Sequence, residues 1–280
     1  MDNTIQKHLT YFKVENFKNF SALDLEDISL FNIIVGDNNV GKTNLLEAIS
    51  LDERNVTATL SILDEYSFYR SGRQNHDVNK DYLLNYFNND SKGTKFNLYH
   101  KYENSDDINK SSIELINKDQ LTKEDYETLI SEKSVRISKV NNVIIFNKNS
   151  NRLVMDSNYR NHLTFIENNS NYMPFIFSNQ GIGNDLIEFF GKTISKSKEQ
   201  KQDFINKMKI FFIDLETIEI SPSYSSDIFE IFLGFKNKDK LIPLSMFGDG
   251  AIKYFRVLLE ILVVKNSKLA IDEIDNGIHY

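Results

Sequence analysis

The chain has 280 residues, 40% apolar, 12% aromatic and 26% charged, which is enough apolar material for a large core and too much for intrinsic disorder. It has no cysteine, which excludes disulfides, cysteine-held metals and cysteine nucleophiles, and its net charge of −7 argues against coating duplex nucleic acid by bulk electrostatics. No apolar run reaches the ~18 residues of a membrane-spanning helix, and MDNTIQKHLT lacks the basic-then-apolar layout of a secretory signal, so a cytoplasmic protein is expected.

Residues 11–17 and 22–28 alternate apolar and polar side chains, as half-buried strands do. Residues 31–35 form a short apolar run that predicts a strand covered on both faces. A turn-forming stretch, 36–41, follows, and 44–49 has helical composition. From about residue 52 to 180 the chain is polar and rich in Asn, with strand-like runs at 96–100, 143–146 and 174–177; residues 103–112 and 147–151 read as loops. Residues 184–212 predict two helices broken near 195–197, followed by strands around 218–220 and 228–232. Residues 251–264 predict an apolar helix on which Lys253, Arg256 and Glu260 make one polar stripe. Residues 268–271 predict a short buried strand entering Asp272-Glu273.

Gly36-x-x-x-x-Gly41-Lys42-Thr43 matches the phosphate-loop pattern in full. Glycines let the backbone wrap closely round a phosphate so that successive amide groups converge on its oxygens. A helix starting near Lys42 adds the positive end of its dipole. Lys42 is placed to reach the β- and γ-phosphates, and the Thr43 hydroxyl to take a position on magnesium. An apolar strand ending in a carboxylate sets Asp272 at the strand's C-terminal edge, where open α/β sheets bind ligands; there it can hold the metal. Glu273, one residue on, can polarise the attacking water as a general base.

Lys42 and Asp272 are 230 residues apart, further than a small GTPase allows. The Asn-Lys pairs at 79–80, 117–118 and 237–238 lack the fourth-position Asp of a guanine reader, so an adenine nucleotide is favoured. Ser245, Gly248 and Gly250 precede the apolar helix as a second anion-binding arrangement, suited to closing in trans over a nucleotide held by another subunit; the plainer reading is an N-cap. His8, His76, His100, His162 and His279 show no metal-ligand spacing. Lys192, Lys196, Lys198, Lys201, Lys207 and Lys209 read first as a solvated helix face, with contact to DNA as the alternative.

Several ordered motifs carry a resemblance: Phe12-x-Val14-x-Asn16-Phe17-Lys18-x-Phe20, the 36–44 loop, Leu83-Leu84-Asn85-Tyr86-Phe87, the 245–250 loop, and Ile271-Asp272-Glu273-Ile274-Asp275-Asn276-Gly277-Ile278-His279. Together they resemble the SMC/RecF-like ABC ATPases, and within these the OLD-like AAA-type branch common in phage-defence loci. The resemblance covers nearly the whole chain. It implies an α/β P-loop NTPase fold, an ABC/SMC-like head with a mixed sheet. Residues 1–51 and 206–280 would be its nucleotide-binding core, and 52–205 a large insertion between the Walker A loop and the signature loop.

ATP and Mg2+ are the implied cofactors. Gly36, Asn38, Asn39, Gly41, Lys42, Thr43 and Asn44 would bind nucleotide in cis, and Ser245, Gly248 and Gly250 in trans. Thr43 and Asp272 would hold the metal, with Glu273 and Lys42 catalytic. The implied partners are a second copy of the chain, as a homodimer or higher homo-oligomer with ATP sandwiched between heads, and a nuclease-type effector in anti-phage defence or DNA maintenance; no membrane is implied. The family continues past the Asp-Glu strand with more sheet and a switch histidine, a role not given to His279. The alternative is therefore a non-hydrolysing, nucleotide-gated scaffold.

Overall fold

The computed structural model describes residues 8–51, 63, 86–87, 93–131, 142–148, 151–156, 175–176, 184–223, 229–263 and 268–274. The chain divides into two compact units, Met1–Asn171 and Tyr172–Tyr280. Of the motif residues, Leu83, Leu84, Asn85 and the stretch 275–280, His279 included, lie outside the described residues, as do His76 and His162.

The first unit is built on a six-stranded sheet. Its strands are β1 (Leu9–Phe17), β2 (Phe20–Leu25), β3 (Lys95–Tyr102), β4 (Asn109–Asn117), β5 (Asn142–Lys148) and β6 (Asn151–Asp156), in the spatial order β2-β1-β3-β4-β5-β6. Every pairing in it is antiparallel. This departs from the expected mixed sheet, and short connections account for two of the five pairings. Two residues link β1 to β2 and two link β5 to β6, whereas a parallel pair needs a crossover of about a dozen residues or more.

Alternation on β1 buries Phe12 and Val14 opposite His100 and Leu98 of β3. Asn16, at φ 58°, interrupts the alternation. Phe17 is buried as well and meets Phe96 edge-on at 5.2 Å.

Residues 103–112, expected as a loop, are a loop only to 108. β4 starts at Asn109, and Ser112 sits between Asn97 and Asn147 in the ladder. Its polar text hid a strand because ladder hydrogen bonds come from the backbone, and small serines pack there, Ser111 and Ser112 both buried. Likewise Asn147 pairs with Arg152 and Lys148 with Asn151, so strand runs to both edges of the expected 147–151 loop.

Helix α2 (Lys123–Ser131) opens on a reciprocal cap: the Asp125 amide donates to Thr122 Oγ1 at 3.1 Å and the Thr122 amide to Asp125 Oδ2 at 3.3 Å. Arg152 of β6 clamps the same carboxylate, Nε to Oδ1 at 2.6 Å and Nη2 to Oδ2 at 2.8 Å. The guanidinium, followed by the Thr122 bonds, holds the Asp125 carboxyl down at about 2 against an ordinary 3.8.

A depressed folded-state value means the pair stabilises the fold above the unfolded value and that this is lost as pH falls from 3.8 through about 2. With Arg152 partly exposed, the effect is about 1–2 kcal/mol. Acid melts should therefore show Asp125→Asn least stable relative to wild type at neutral pH, with the two converging near the acid end. Parallel curves at every pH would contradict this.

The second unit packs α3 (Asn184–Lys192), α4 (Lys198–Met208) and α5 (Asp249–Val263) with a sheet of β8 (Leu215–Pro222), β9 (Phe229–Phe235) and β10 (Ile242–Pro243). Phe190, Phe204 and Phe255 meet at its centre, with ring centroids 4.9 to 5.5 Å apart. Ser197 makes the predicted break, its hydroxyl accepting from the Gln200 amide at 3.3 Å to cap α4. β7 (Phe175–Ile176) and β11 (Ala270–Ile271) form a parallel pair, the only one among the described residues.

The largest departure from expectation is at 31–35. No strand forms there, and Leu30, Phe31, Ile33 and Val35 are 72% to 88% exposed. An apolar run records hydrophobicity, whereas a strand also needs a neighbour to complete its hydrogen bonds, and the first unit's sheet provides none to this segment.

Candidate phosphate-binding loop and acidic strand end

The candidate phosphate-binding loop lies in the first unit. α1 (Lys42–Ser50) starts directly after Gly41, its N-cap, and the first helical bond runs from the Leu45 amide to the Gly41 carbonyl at 2.9 Å. A helix start ordinarily carries Ser, Thr, Asp or Asn as cap. Here the cap has no side chain, and the first turn holds no acidic residue. Neither a cap side chain nor a first-turn carboxylate competes there, and the dipole's positive end favours an anion.

The backbone reaches this point through Asn39 at φ 66° and Gly41 at φ 100°, both left-handed. Asn tolerates that region, while any side chain at Gly41 would be strained. Lys42 folds back over the loop: its Nζ donates to the Gly36 carbonyl at 2.6 Å and to the Asp37 carbonyl at 2.8 Å. Residues 35–40 are exposed, and Lys42, Thr43 and Asn44 half-buried. These features fit a triphosphate: a cation on the loop, a glycine-capped helix start, and the Thr43 hydroxyl in the first helical turn.

The acidic strand end belongs to the second unit. The Asp272 amide donates to the Ile176 carbonyl at 2.9 Å, extending the β7–β11 ladder by one residue, so Asp272 stands at the C-terminal edge of a parallel pair. Asp272 is buried and Glu273 exposed. Glu273 takes φ 47°, a left-handed conformation that costs a non-glycine residue about 1–2 kcal/mol and needs surroundings that enforce it.

Lys253 of α5 provides part of that enforcement. It is buried, and its Nζ donates to the Asp272 carbonyl at 3.0 Å and also to the Glu273 carbonyl. This corrects the polar stripe: Lys253 and Arg256 both face the interior. Lys253 is the residue that sequence reasoning missed. The available signal was a lysine inside an almost wholly apolar helix, where a buried cation has to find acceptors elsewhere in the fold.

The 245–250 stretch divides structurally. Ser245 lies in a single 3-10 turn, Leu244–Phe247, and is exposed; Gly248 is exposed at φ 79°; Gly250 is buried inside the first turn of α5. Asn38, Asn39 and Gly36 lie on the exposed loop of the first unit. Gly36, Asn38, Asn39, Gly41, Lys42, Thr43 and Asn44 are thus brought together by one loop and helix, and Asp272, Glu273 and Lys253 by one strand end and helix. Among the described residues no group of three or more His, Asp or Glu is poised to hold a metal.

Of the lysines in 192–209, Lys192 pairs with Glu188 at 2.5 Å and Lys207 with Asp203, each on its own helix, as on a solvated face.

Residues 31–280 match a protein-family model described as "AAA domain, putative AbiEii toxin, Type IV TA system". The chain is 24% identical over 290 residues to a protein of Helicobacter pylori named ATP/GTP phosphatase, covering 96% of this chain and 76% of that one. Shorter stretches are similar to the DNA replication and repair protein RecF. The match is 61% over 36 residues in Mannheimia succiniciproducens, covering 13% of this chain and 10% of that protein. It is 48% over 42 residues in Clostridium kluyveri, covering 15% and 12%.

Proposed function

The chain belongs to this family of AAA domains, and on that premise we propose that it is a magnesium-dependent ATPase of ABC/SMC-like type. In this reading, which sets it beside the OLD-like ATPases, two copies close around ATP and report its state to a nuclease-type effector in anti-phage defence or DNA maintenance. The observation that carries the nucleotide reading is the glycine-capped start of α1, entered through left-handed Asn39 and Gly41, with the Lys42 ammonium lying on the loop's own carbonyls. The names ATP/GTP phosphatase and RecF among its relatives agree with nucleotide-dependent work.

Each residue has a role that follows from its chemistry. Amides at the start of α1 receive phosphate oxygens, and Lys42 leaves the Gly36 and Asp37 carbonyls to neutralise their charge. Thr43 and Asp272 would each offer a hard oxygen to magnesium, which would neutralise the phosphate charge and polarise the phosphoryl oxygens. Glu273, exposed where Asp272 is buried, takes the proton of the attacking water. Lys253 keeps the Glu273 backbone in its left-handed conformation. Ser245 and Gly248, both exposed, face the nucleotide of the opposite copy, while Gly250 serves through its backbone in the first turn of α5.

No described helix is long and apolar enough to cross a membrane, and the cytoplasm is the proposed location. Phosphate release by the purified chain tests the reading: turnover should require magnesium and favour ATP over GTP. Tight ATP binding without any turnover would instead support the nucleotide-gated scaffold. Failure to bind nucleotide at all would refute both.

A further inference from the structure

We propose that the two-residue turn between β1 and β2 is the positioning element of the phosphate loop, with Lys18 and Asn19 holding α1 and its glycine cap in register. This rests on the nucleotide-binding reading above.

Lys18 adopts φ 50°, a left-handed conformation uncommon for a long side chain. Its amide donates to the Tyr86 carbonyl at 3.0 Å, and its ammonium lies 4.5 Å from the centroid of the Tyr86 ring. The same ammonium forms an ion pair with Glu47 of α1, where the Lys18 side chain is only 8% exposed and that of Glu47 is 0%. Charges so deeply buried persist only when paired, so this contact joins the turn firmly to the helix.

Asn19 makes two further contacts. Its Oδ1 accepts from Asn44 Nδ2 at 2.7 Å, and its amide group covers Gly41. A Cβ at Gly41 would come within 2.5 Å of Asn19 Nδ2 and 3.1 Å of Phe20 Cζ. Gly41 is therefore required by its own φ, and a Cβ there would also push the Asn19 amide aside.

Gly41, Asn44 and Glu47 are spaced by three, which keeps them toward one side of α1. All three are engaged by two consecutive residues of one hairpin. The left-handed Lys18 lets neighbouring residues send an ammonium and an amide to the same helix, and such local strain is kept where a geometry must be held. A helix start whose amides bind phosphate needs its cap fixed to a fraction of an ångström, and no side chain of the loop does this for Gly41.

The test is binding of a fluorescent ATP analogue with magnesium to the full chain, well below its melting transition. Asn19→Ala leaves no buried charge behind and should weaken binding about tenfold with little change in melting temperature. Lys18→Met should weaken it at least as much, while Lys18→Arg, which keeps the cation, should stay within about threefold of wild type. Should Lys18→Met fail to fold, Asn19→Ala decides alone. Wild-type affinity in Asn19→Ala, alongside lost binding in Lys42→Ala, would overturn the positioning role and leave the nucleotide reading intact. Wild-type affinity in Lys42→Ala would overturn the nucleotide reading and this proposal with it.

Discussion

Lys42→Ala is expected to weaken ATP binding at least about a hundredfold while leaving the fold unchanged. The side chain donates to two backbone carbonyls of an exposed loop, Gly36 and Asp37, so its removal strands no buried group and should shift melting only slightly. Against a triphosphate the same ammonium makes charge-assisted bonds worth about 1.5–3 kcal/mol each, and two of them amount to two or more orders of magnitude in affinity. Calorimetric titration with Mg-ATP measures this. Affinity equal to wild type would remove the 36–43 loop from nucleotide binding.

Glu273→Gln should keep ATP affinity within a few-fold and lower turnover by about 10²–10⁴, the usual contribution of a positioned general base. The substitution preserves side-chain shape and leaves the backbone contacts of Lys253 in place, since these go to the carbonyls of Asp272 and Glu273 rather than to carboxylates. Gln and Glu have similar difficulty with φ 47°, so the strain of the position is also retained. Only proton acceptance is lost. With chemistry stalled, nucleotide-closed dimers should outlast those of wild type in size-exclusion runs with ATP. Unchanged turnover would take the base role away from Glu273.

The phosphate loop was legible in the sequence because its chemistry demands particular residues at fixed spacing, and the structure gives Gly41 and the start of α1 at the expected positions. The two helices in 184–212 and the break at Ser197 were legible for a related reason: apolar periodicity and a capping hydroxyl are both local. What escaped depended on partners distant in sequence. The apolar run 31–35 reads as a strand, yet strand formation is decided by a neighbour, and none pairs with it in the first unit. Ser111 and Ser112 read as loop because their contribution to β4 is backbone ladder and small size rather than apolar character. Lys253 looked like one of a polar stripe, since the carbonyls that receive it come from a strand end about twenty residues on. Lys18 and Glu47, 29 residues apart, lie on separate elements, and only the folded hairpin brings their charges together.

The proposed function depends above all on the 36–43 loop receiving the triphosphate of ATP. A crystal structure of the chain with ATP and magnesium measures it directly. The expected result is phosphate oxygens at the start of α1 with Lys42 Nζ about 2.7–2.9 Å from one of them, and the metal about 2.1 Å from Thr43 Oγ1. Nucleotide bound away from the 36–43 loop would contradict it.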